Sequence, residues 1–184
     1  MTCRRQFLAG FGAALLLAGA ARAQASADAL LDDAKRLRLA GQLPEAEQRT
    51  RAALKVAADP FRANYTLGLI QLDKGETNQG IATLNGAVER LKGAPAPDPT
   101  IYNTLGWALM GAGRFGEAKQ AFDQGYAQRD RLPLASRQKL LNNMSLLARL
   151  QGQAAPATRY LEESARLGSA PAQQTLQKYT ASKK

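Results

Sequence analysis

The sequence contains no histidine, a single cysteine and only 6% aromatic residues in its 184 positions. Without imidazole the chain lacks the commonest general base and the commonest metal ligand of proteins. Cys3 lies at the extreme N-terminus, so the remainder has no thiol for catalysis, disulfide formation or metal binding. Adjacent carboxylates such as Glu162 and Glu163 point to different sides of a helix and form no catalytic dyad. We therefore expect no enzyme activity, no cofactor and no metal site.

The residues that are abundant favour helices. Apolar residues make up 45% of the chain, which is normal for a protein that buries a core. Alanine and leucine dominate this fraction, and both are strong helix formers. Strands prefer β-branched and aromatic side chains, which are scarce here. The composition predicts an all-α protein.

The first 23 residues have the pattern of an export signal. Arg4 and Arg5 precede a run of apolar and small residues from 7 to 20, and a small-residue cleavage motif ends at Ala23. The run is shorter than the roughly 20 apolar residues that a membrane-spanning helix needs. We expect cleavage of this signal peptide, a mature chain that begins at Gln24 and a periplasmic location. The alternative is an uncleaved anchor.

The arginine pair has two interpretations. The stretch Arg4-Arg5-Gln6-Phe7-Leu8 resembles the twin-arginine export signal, in which two arginines precede two apolar residues after one variable position. In a general secretory signal the two arginines have no special role, and the residues leave both routes open. Cys3 does not follow the apolar residues of a lipoprotein signal, so lipid anchoring is not expected.

Charge is distributed unevenly along the chain. The net charge is +10, and Asp28 to Asp98 contains ten basic and ten acidic residues. From Pro99 onward there are twelve basic and five acidic residues. Such an excess attracts acidic proteins, anionic lipid headgroups or peptidoglycan carboxylates. Because an exported protein does not meet nucleic acid, we expect no nucleic-acid partner; a generic solvated surface is the alternative.

Four glycines mark an internal repeat. Gly41, Gly75, Gly113 and Gly152 are separated by 34, 38 and 39 residues. A small residue occurs seven positions before and five positions after each of them. These residues are Ala34, Gly68, Gly106 and Ser145 before the glycines, and Ala46, Gly80, Ala118 and Ala157 after them. Small residues allow two helices to cross closely, and glycine ends a helix in a left-handed turn.

These offsets resemble the tetratricopeptide repeat (TPR), a 34-residue helix–turn–helix unit. The third unit, from Tyr102 to Phe122, is the clearest match, and the first has Asp33 and Thr50 at positions that are mostly apolar elsewhere. The resemblance implies a solenoid of about four antiparallel helical hairpins over residues 24–184. The expected repeats are 27–60, 61–98, 99–137 and 138–171, followed by a capping helix over 170–181.

Boundary signals agree with this division. Asp59-Pro60 and Asp98-Pro99 each place a capping residue before a proline at the first helical position. Residues 93–98 read as a short extended linker rich in proline and alanine, and residues 129–136 form a second insertion. Both insertions are expected to lengthen turns between repeats.

In TPR proteins the first helix of each hairpin lines a concave groove, so the resemblance implies groove positions three, six and ten residues before the repeat glycine. One further position, thirteen before, adds Arg62 and Lys139. The corresponding residues are Leu31, Lys35, Arg38, Arg62, Tyr65, Leu69, Leu72, Asn103, Trp107, Met110, Lys139, Asn142, Leu146 and Arg149. Such a groove has an apolar centre, amide groups for a peptide backbone and cations for carboxylates. Alternatively, Trp107 packs between repeats and the cations are merely solvated.

The resulting hypothesis is a periplasmic scaffold that binds an acidic or carboxylate-presenting segment of another envelope protein. The stretch from Leu140 to Leu147 with Asn142-Asn143, followed by Gly152, is similar to TPR proteins of tight-adherence (Flp) pilus assembly. That similarity implies a role in pilus or secretion-system biogenesis. The alternatives are a cell-wall or membrane-surface protein recruited by the basic half, and a non-catalytic subunit of an envelope enzyme.

Overall fold

A computed structural model describes residues 3–57, 59–91 and 98–181, and within these ranges the regular structure is helical without any strand. The α-helices are α1 (Cys3–Leu39), α2 (Leu43–Val56), α3 (Phe61–Asp73), α4 (Thr77–Leu91), α5 (Thr100–Gly111), α6 (Phe115–Ala127), α7 (Leu134–Leu150), α8 (Ala154–Arg166) and α9 (Ala170–Ala181). A 3₁₀ helix, Arg129–Arg131, lies within the second predicted insertion. The predicted all-α, TPR-like arrangement of helical hairpins with a final helix is confirmed. Most of the predicted linker 93–98 lies outside the described residues.

The turn inside each hairpin is built on a left-handed glycine. The φ angles are 77° at Gly41, 79° at Gly75, 73° at Gly113 and 72° at Gly152. In the third hairpin the N–H of Gly113 donates to the Met110 carbonyl at 3.0 Å, and the N–H of Arg114 donates to the Leu109 carbonyl at 2.9 Å. This pair of hydrogen bonds is the Schellman motif, which satisfies the last carbonyls of a helix. The glycine spacing therefore predicted the four turns correctly.

A fifth left-handed glycine separates the last two helices. Gly168 has a φ of 83°, and its N–H donates to the Ala165 carbonyl at 2.9 Å. It was not among the repeat glycines because no complete hairpin follows it. A left-handed glycine thus joins α8 to α9, as it joins the two helices of each hairpin.

Small residues lie where the helices of a hairpin cross. A β-carbon on Gly106 would lie 2.5 Å from Cδ1 of Phe122, and one on Gly68 would lie 2.7 Å from Cγ of Leu84. Real β-carbons do not approach other atoms so closely, so α5 contacts α6 and α3 contacts α4 only because these positions lack one. The expectation that the small residues mark the crossings is confirmed here.

A matched pair of substitutions in α5 tests this packing. Gly106→Ala is expected to lower the free energy of unfolding by about 1–3 kcal/mol, because the new methyl group overpacks against the Phe122 ring. Gly111→Ala, in the same helix, meets no atom within 4 Å and is expected to raise stability by up to about 1 kcal/mol. Urea denaturation of both variants measures the difference. Equal effects of the two substitutions would contradict the crossing geometry.

The chain divides into two compact units, Met1–Ala87 and Val88–Lys184. In the N-terminal unit α1 packs against α2 and α3, around a core that includes Ala27, Leu31 and Ala63. Helix α1 continues through the predicted cleavage site after Ala23, and cleavage remains a prediction. Among the described residues, none of the helices combines the length and apolar character required to cross a membrane.

The C-terminal unit contains helices α5 to α9. Helix α5 packs against α6 and α7, α7 packs against α8, and α8 packs against α9. Phe122, Ile101, Leu140 and Leu141 are fully enclosed and form its core. At the start of α5 the N–H of Thr100 donates to Oδ1 of Asp98 at 3.0 Å, so this aspartate caps the helix as predicted.

Candidate peptide-binding groove

The predicted groove arginines of the N-terminal unit already have partners within the chain. The guanidinium Nη1 of Arg62 donates to Oδ1 of Asp28 at 2.6 Å, and Nε of Arg38 donates to Oδ2 of Asp73 at 2.5 Å. Both bonds join α1 to α3, the first helices of the first two hairpins. Each partner lies 34 or 35 residues away in sequence, which is one repeat length. These arginines therefore connect repeats and are not free to pair with a ligand.

The other predicted positions of this unit are mixed in exposure. Lys35 is exposed, while Tyr65 and Leu69 are half-buried. The Tyr65 ring stacks on that of Phe61, with centroids 6.3 Å apart and planes 4° apart. Leu31 is only 4% exposed and belongs to the core. The N-terminal unit thus offers a partner little free charge and only part of the expected apolar surface.

The centre of the predicted groove in the C-terminal unit is Trp107. Its side chain is 52% exposed in the middle of α5, so it is not enclosed between helices. Met110, one turn further along, is 7% exposed and belongs to the core. A helix face that is about 100° wide faces the core, and Met110 falls inside it whereas Trp107 falls outside. The apolar surface at this point is therefore a single large aromatic side chain.

The predicted amides bond within the chain. Nδ2 of Asn143 donates to Oδ1 of Asn103 at 2.9 Å, which joins α7 to α5. Nδ2 of Asn142 donates to Oγ of Ser169, in the turn before α9, at 3.3 Å. Sequence reasoning placed Asn103 and Asn142 in the groove without predicting these contacts. The bond between Asn143 and Asn103 joins two neighbouring first helices, and the bond from Asn142 joins α7 to the turn before α9.

Two predicted cations of the C-terminal unit remain unpaired. Lys139 and Arg149 are exposed on α7, and neither forms an ion pair with any residue that the structure describes. This differs from the N-terminal unit, where Arg38 and Arg62 are both paired. We call the surface formed by Asn103, Trp107, Lys139, Asn142, Leu146 and Arg149 the C-terminal groove face. It has a net positive charge that no carboxylate of the described residues neutralises through an ion pair.

A pocket opens between α7 and α9 beside this face. Its volume is ≈ 120 Å³, and we call it the C-terminal pocket. Drug-sized sites begin at about 300 Å³, so this pocket is too small for one. It is lined by Asn142, Ser145, Leu146, Arg149, Leu161, Pro171, Ala172 and Thr175. Three predicted groove residues therefore share a concavity with the last helix. The sequence did not predict the contribution of α9, which was expected only to cap the repeats.

A second pocket lies on the side of the second helices, between α6 and α8. Its volume is ≈ 160 Å³. The buried side chains of Phe122 and Met144 form part of its floor, and Lys119, Asp123 and Arg159 contribute charge to its lining. Nζ of Lys119 lies 2.6 Å from Oδ2 of Asp123, so this pair neutralises itself. Arg159 therefore leaves this lining with one positive charge, whereas the C-terminal groove face has two, Lys139 and Arg149.

A polar network that sequence reasoning missed joins α6, α7 and α8. The Tyr126 hydroxyl donates to Oε2 of Glu163 at 2.8 Å, and Nη2 of Arg137 donates to Oε1 of the same carboxylate at 3.2 Å. The Arg129 guanidinium lies 4.6 Å from the centroid of the Tyr126 ring, within the range of a cation–π interaction. No spacing rule brings these residues together, because they come from three helices and the insertion between repeats.

Glu163 is expected to stabilise the C-terminal unit. Glu163→Ala removes both hydrogen bonds and leaves Arg137, whose side chain is 25% exposed, without its better partner. A hydrogen bond to a charged group contributes about 1.5–3 kcal/mol, so we expect a loss in that range. Its neighbour provides a control: Glu162 is 50% exposed and 3.9 Å from Arg166, so Glu162→Ala is expected to change stability by about 0.5 kcal/mol at most. Similar losses in urea denaturation of the two variants would contradict the network.

Tyr126 gives the network a pH dependence. Burial raises the pKa of its hydroxyl above the ordinary value, and the hydrogen bond to Glu163 raises the pKa further. A group with a raised pKa in the folded state contributes stability below its unfolded pKa, about 10, and loses it as the pH rises through the folded value. Tyr126→Phe is therefore expected to cost about 1 kcal/mol at pH 8. The difference in unfolding free energy between the two proteins should shrink above pH 10; a constant difference would contradict this assignment.

Comparisons with known proteins agree with the fold. The family model of the tetratricopeptide repeat matches residues 99–127, the third predicted unit. The structure of PilF from Pseudomonas aeruginosa is similar with a TM-score of 0.70 and 21% identity, over 79% of this chain and 62% of PilF. MamA AMB-1 is similar with a TM-score of 0.58 and 18% identity, over 77% of this chain and 78% of MamA. BtubC from P. vanneervenii is similar with a TM-score of 0.69 and 16% identity, over 78% of this chain and 63% of BtubC.

These similarities define the fold class and not a particular protein. No curated protein sequence matches the chain. The chain spans 62% of the length of the PilF structure, and identities near 20% concern the fold alone. The chain has a TPR-like fold that contains a recognisable tetratricopeptide repeat, and such repeats serve as protein-binding scaffolds.

Proposed function

We propose that the chain is a non-catalytic adaptor that binds an acidic segment of another cell-envelope protein on its C-terminal groove face. The observation that carries this proposal is Trp107, which is 52% exposed in α5, the first helix of the repeat that matches the TPR model. An exposed tryptophan on α5, together with two cations on the neighbouring helix α7 that have no ion-pair partner among the described residues, has the composition of a binding hot spot, where aromatic residues and arginine supply most of the affinity. The envelope location rests on the export signal in the sequence.

The acidic character of the partner follows from charge. Lys139 and Arg149 have no ion-pair partner among the described residues, and the chain from Pro99 onward has twelve basic and five acidic residues. A partner that carries carboxylates associates with such a face faster than a neutral partner does, and the charge pairs fix its register. The N-terminal unit contributes less, since Arg38 and Arg62 are occupied.

A role in pilus or secretion-system biogenesis is the narrower form of this proposal. It rests on the similarity of the stretch around Asn142-Asn143 to TPR proteins of tight-adherence pilus assembly. Asn143 bonds to Asn103, and Asn142 bonds to Ser169. These hydrogen bonds give both asparagines a structural role within the chain, which requires no pilus partner. Identification of the bound protein therefore decides the narrower proposal.

A second candidate function is recruitment to the cell wall or to an anionic membrane surface. The observation that favours it is the excess of basic residues after Pro99. Binding of this kind depends on charge density and falls steeply with ionic strength. It does not require Trp107, which separates it from the adaptor function.

In-cell crosslinking followed by mass spectrometry tests the adaptor function. The full chain is compared with the double variant Trp107→Ala plus Arg149→Glu and with Arg166→Glu, a charge-matched control on α8 whose side chain is 79% exposed. We expect capture of one envelope protein by the original chain and by the control, but not by the double variant. Capture that the double variant retains, or only salt-sensitive association with wall or vesicles, would reject the groove and favour the second candidate.

A further inference from the structure

The C-terminal pocket has the size and lining of a side-chain subsite. Its volume is ≈ 120 Å³, and Leu146, Leu161 and Ala172 give it apolar walls. An apolar cavity of about 150 Å³ holds a benzene molecule, so this pocket accommodates an aliphatic side chain. The wall formed by Ala172 and Thr175 comes from α9, and that formed by Leu146 comes from α7.

The cations of α7 flank this subsite along the helix axis. Lys139 and Arg149 are ten residues apart, which is about 15 Å at 1.5 Å per residue. At about 100° per residue, Lys139, Leu146 and Arg149 all project within an arc of roughly 80° of the helix surface. A ligand that lies along α7 therefore meets one cation, then the pocket, and then the second cation.

An extended segment matches this spacing. A strand advances about 3.4 Å per residue, and alternate side chains point to the same side. Residues 1 and 5 of such a segment lie about 14 Å apart and share a face with residue 3. Along the axis Leu146 lies about 10.5 Å from Lys139 and about 4.5 Å from Arg149, so the pocket is nearer to Arg149. With residue 3 at Leu146, residues 1 and 5 lie about 4 Å and about 2 Å from the two cations, and the flexible stems of lysine and arginine accommodate these offsets.

From this geometry we propose that the α7 side of the C-terminal groove face, with the pocket beside Arg149, recognises an extended segment with the pattern acidic–x–aliphatic–x–acidic. This inference rests on the proposed adaptor function and specifies its ligand. The aliphatic side chain enters the C-terminal pocket, and the two carboxylates pair with Lys139 and Arg149. Such charge complementarity is the reason why the two cations lack partners within the described chain.

The proposal gives α9 a second role. The sequence predicted this helix as a solubilising cap, but Pro171, Ala172 and Thr175 line the pocket. A negative charge placed on this wall would oppose a carboxylate bound at Arg149. Thr175→Glu is therefore expected to weaken binding although it lies outside the groove helices.

The helix provides a matched control. The Thr175 hydroxyl donates to the Pro171 carbonyl at 2.8 Å, and the Thr158 hydroxyl on α8 donates to the Ala154 carbonyl at 3.0 Å. Thr158→Glu makes the same chemical change and loses the same local hydrogen bond, but Thr158 does not line the pocket. A difference in affinity between the two variants is therefore due to the position of Thr175 in the pocket and not to the loss of a local hydrogen bond in a helix.

Fluorescence anisotropy with two labelled peptides of equal composition tests the proposal on the full chain. One peptide contains Glu-Ser-Leu-Ser-Glu, and the other contains Glu-Glu-Leu-Ser-Ser, each flanked by the same neutral residues. We expect the first to bind at least ten times more tightly than the second, and to lose at least ten-fold in affinity with Arg149→Glu and with Thr175→Glu. Thr158→Glu should bind like the original chain.

Equal affinities for the two peptides, no measurable binding at 1 mM peptide, or equal effects of Thr175→Glu and Thr158→Glu would overturn the proposal. These results are distinguishable from failure of the adaptor function. A captured partner that lacks the pattern would remove the inference and leave the adaptor intact. Peptide binding as expected, without any captured partner, would support the subsite and remove the adaptor.

Discussion

Phe122→Ala is expected to lower the free energy of unfolding of the C-terminal unit by about 3–5 kcal/mol, the range for removing a buried phenylalanine ring. The side chain is 1% exposed and fills the space that Gly106 leaves at the crossing of α5 and α6. Truncation leaves a cavity that a helical backbone closes only in part. Because Trp107 is the single tryptophan and lies in α5, its fluorescence during urea denaturation reports this unit.

Phe115 provides the control for this experiment. Phe115 is the first residue of α6, the helix that contains Phe122, but it is 36% exposed. Phe115→Ala is therefore expected to lower the free energy of unfolding by less than about 2 kcal/mol. Nearly equal losses for the two variants would mean that Phe122 is not enclosed. The crossing geometry described for the third hairpin would then be wrong.

Trp107→Ala is expected to weaken binding of the envelope partner by at least 30-fold, or about 2 kcal/mol, with little effect on folding. The side chain is 52% exposed, so its removal leaves no enclosed cavity in the unit. Titration of the partner identified by crosslinking measures the affinity, and far-ultraviolet circular dichroism during denaturation measures the stability without need of the tryptophan.

Phe115→Ala is again the comparison, because it removes an exposed aromatic side chain that is not on the C-terminal groove face. The affinity of this variant should stay within about two-fold of the original. If Trp107→Ala lowers stability by more than about 2 kcal/mol and leaves affinity unchanged, the tryptophan has a packing role. The centre of the proposed site would then lie elsewhere.

The turns and helix crossings were predictable because each depends on a property that one residue carries alone. Glycine adopts a positive φ at little cost, and glycine or alanine allows close approach of two helices. Thr50 shows how a departure from the pattern is accommodated. It is fully buried at a position that is apolar in other repeats, and its hydroxyl donates to the Ala46 carbonyl at 2.9 Å. A buried threonine that bonds to its own helix behaves as a small apolar residue.

The composition of the groove was only partly predictable because it depends on contacts between repeats. Whether Arg62 is free depends on Asp28, which occupies the same position one repeat earlier. The repeat alignment relates the two positions, but it does not show that their side chains meet. Burial of Met110 depends on how α5 is rotated about its own axis. Successive side chains of a helix point about 100° apart around that axis. Small errors in aligning the repeat therefore exchange core positions for groove positions.

The contribution of α9 was missed for a related reason. Residues 170–181 follow the last complete repeat, so no repeat position assigns Ala172 or Thr175 to a site. Their role depends on where the turn at Gly168 directs the helix. Only a structure shows that this turn brings α9 beside the groove residues of α7.

Site-specific photo-crosslinking in cells shows whether a partner binds at the C-terminal groove face. An aromatic photoreactive residue replaces Trp107 in one variant and Arg159, which lines the pocket between α6 and α8, in another. We expect one discrete adduct with an envelope protein from position 107, lost when Arg149→Glu is added, and no such adduct from position 159. An adduct from position 159 alone, or one from position 107 that Arg149→Glu leaves unchanged, would contradict binding at the C-terminal groove face.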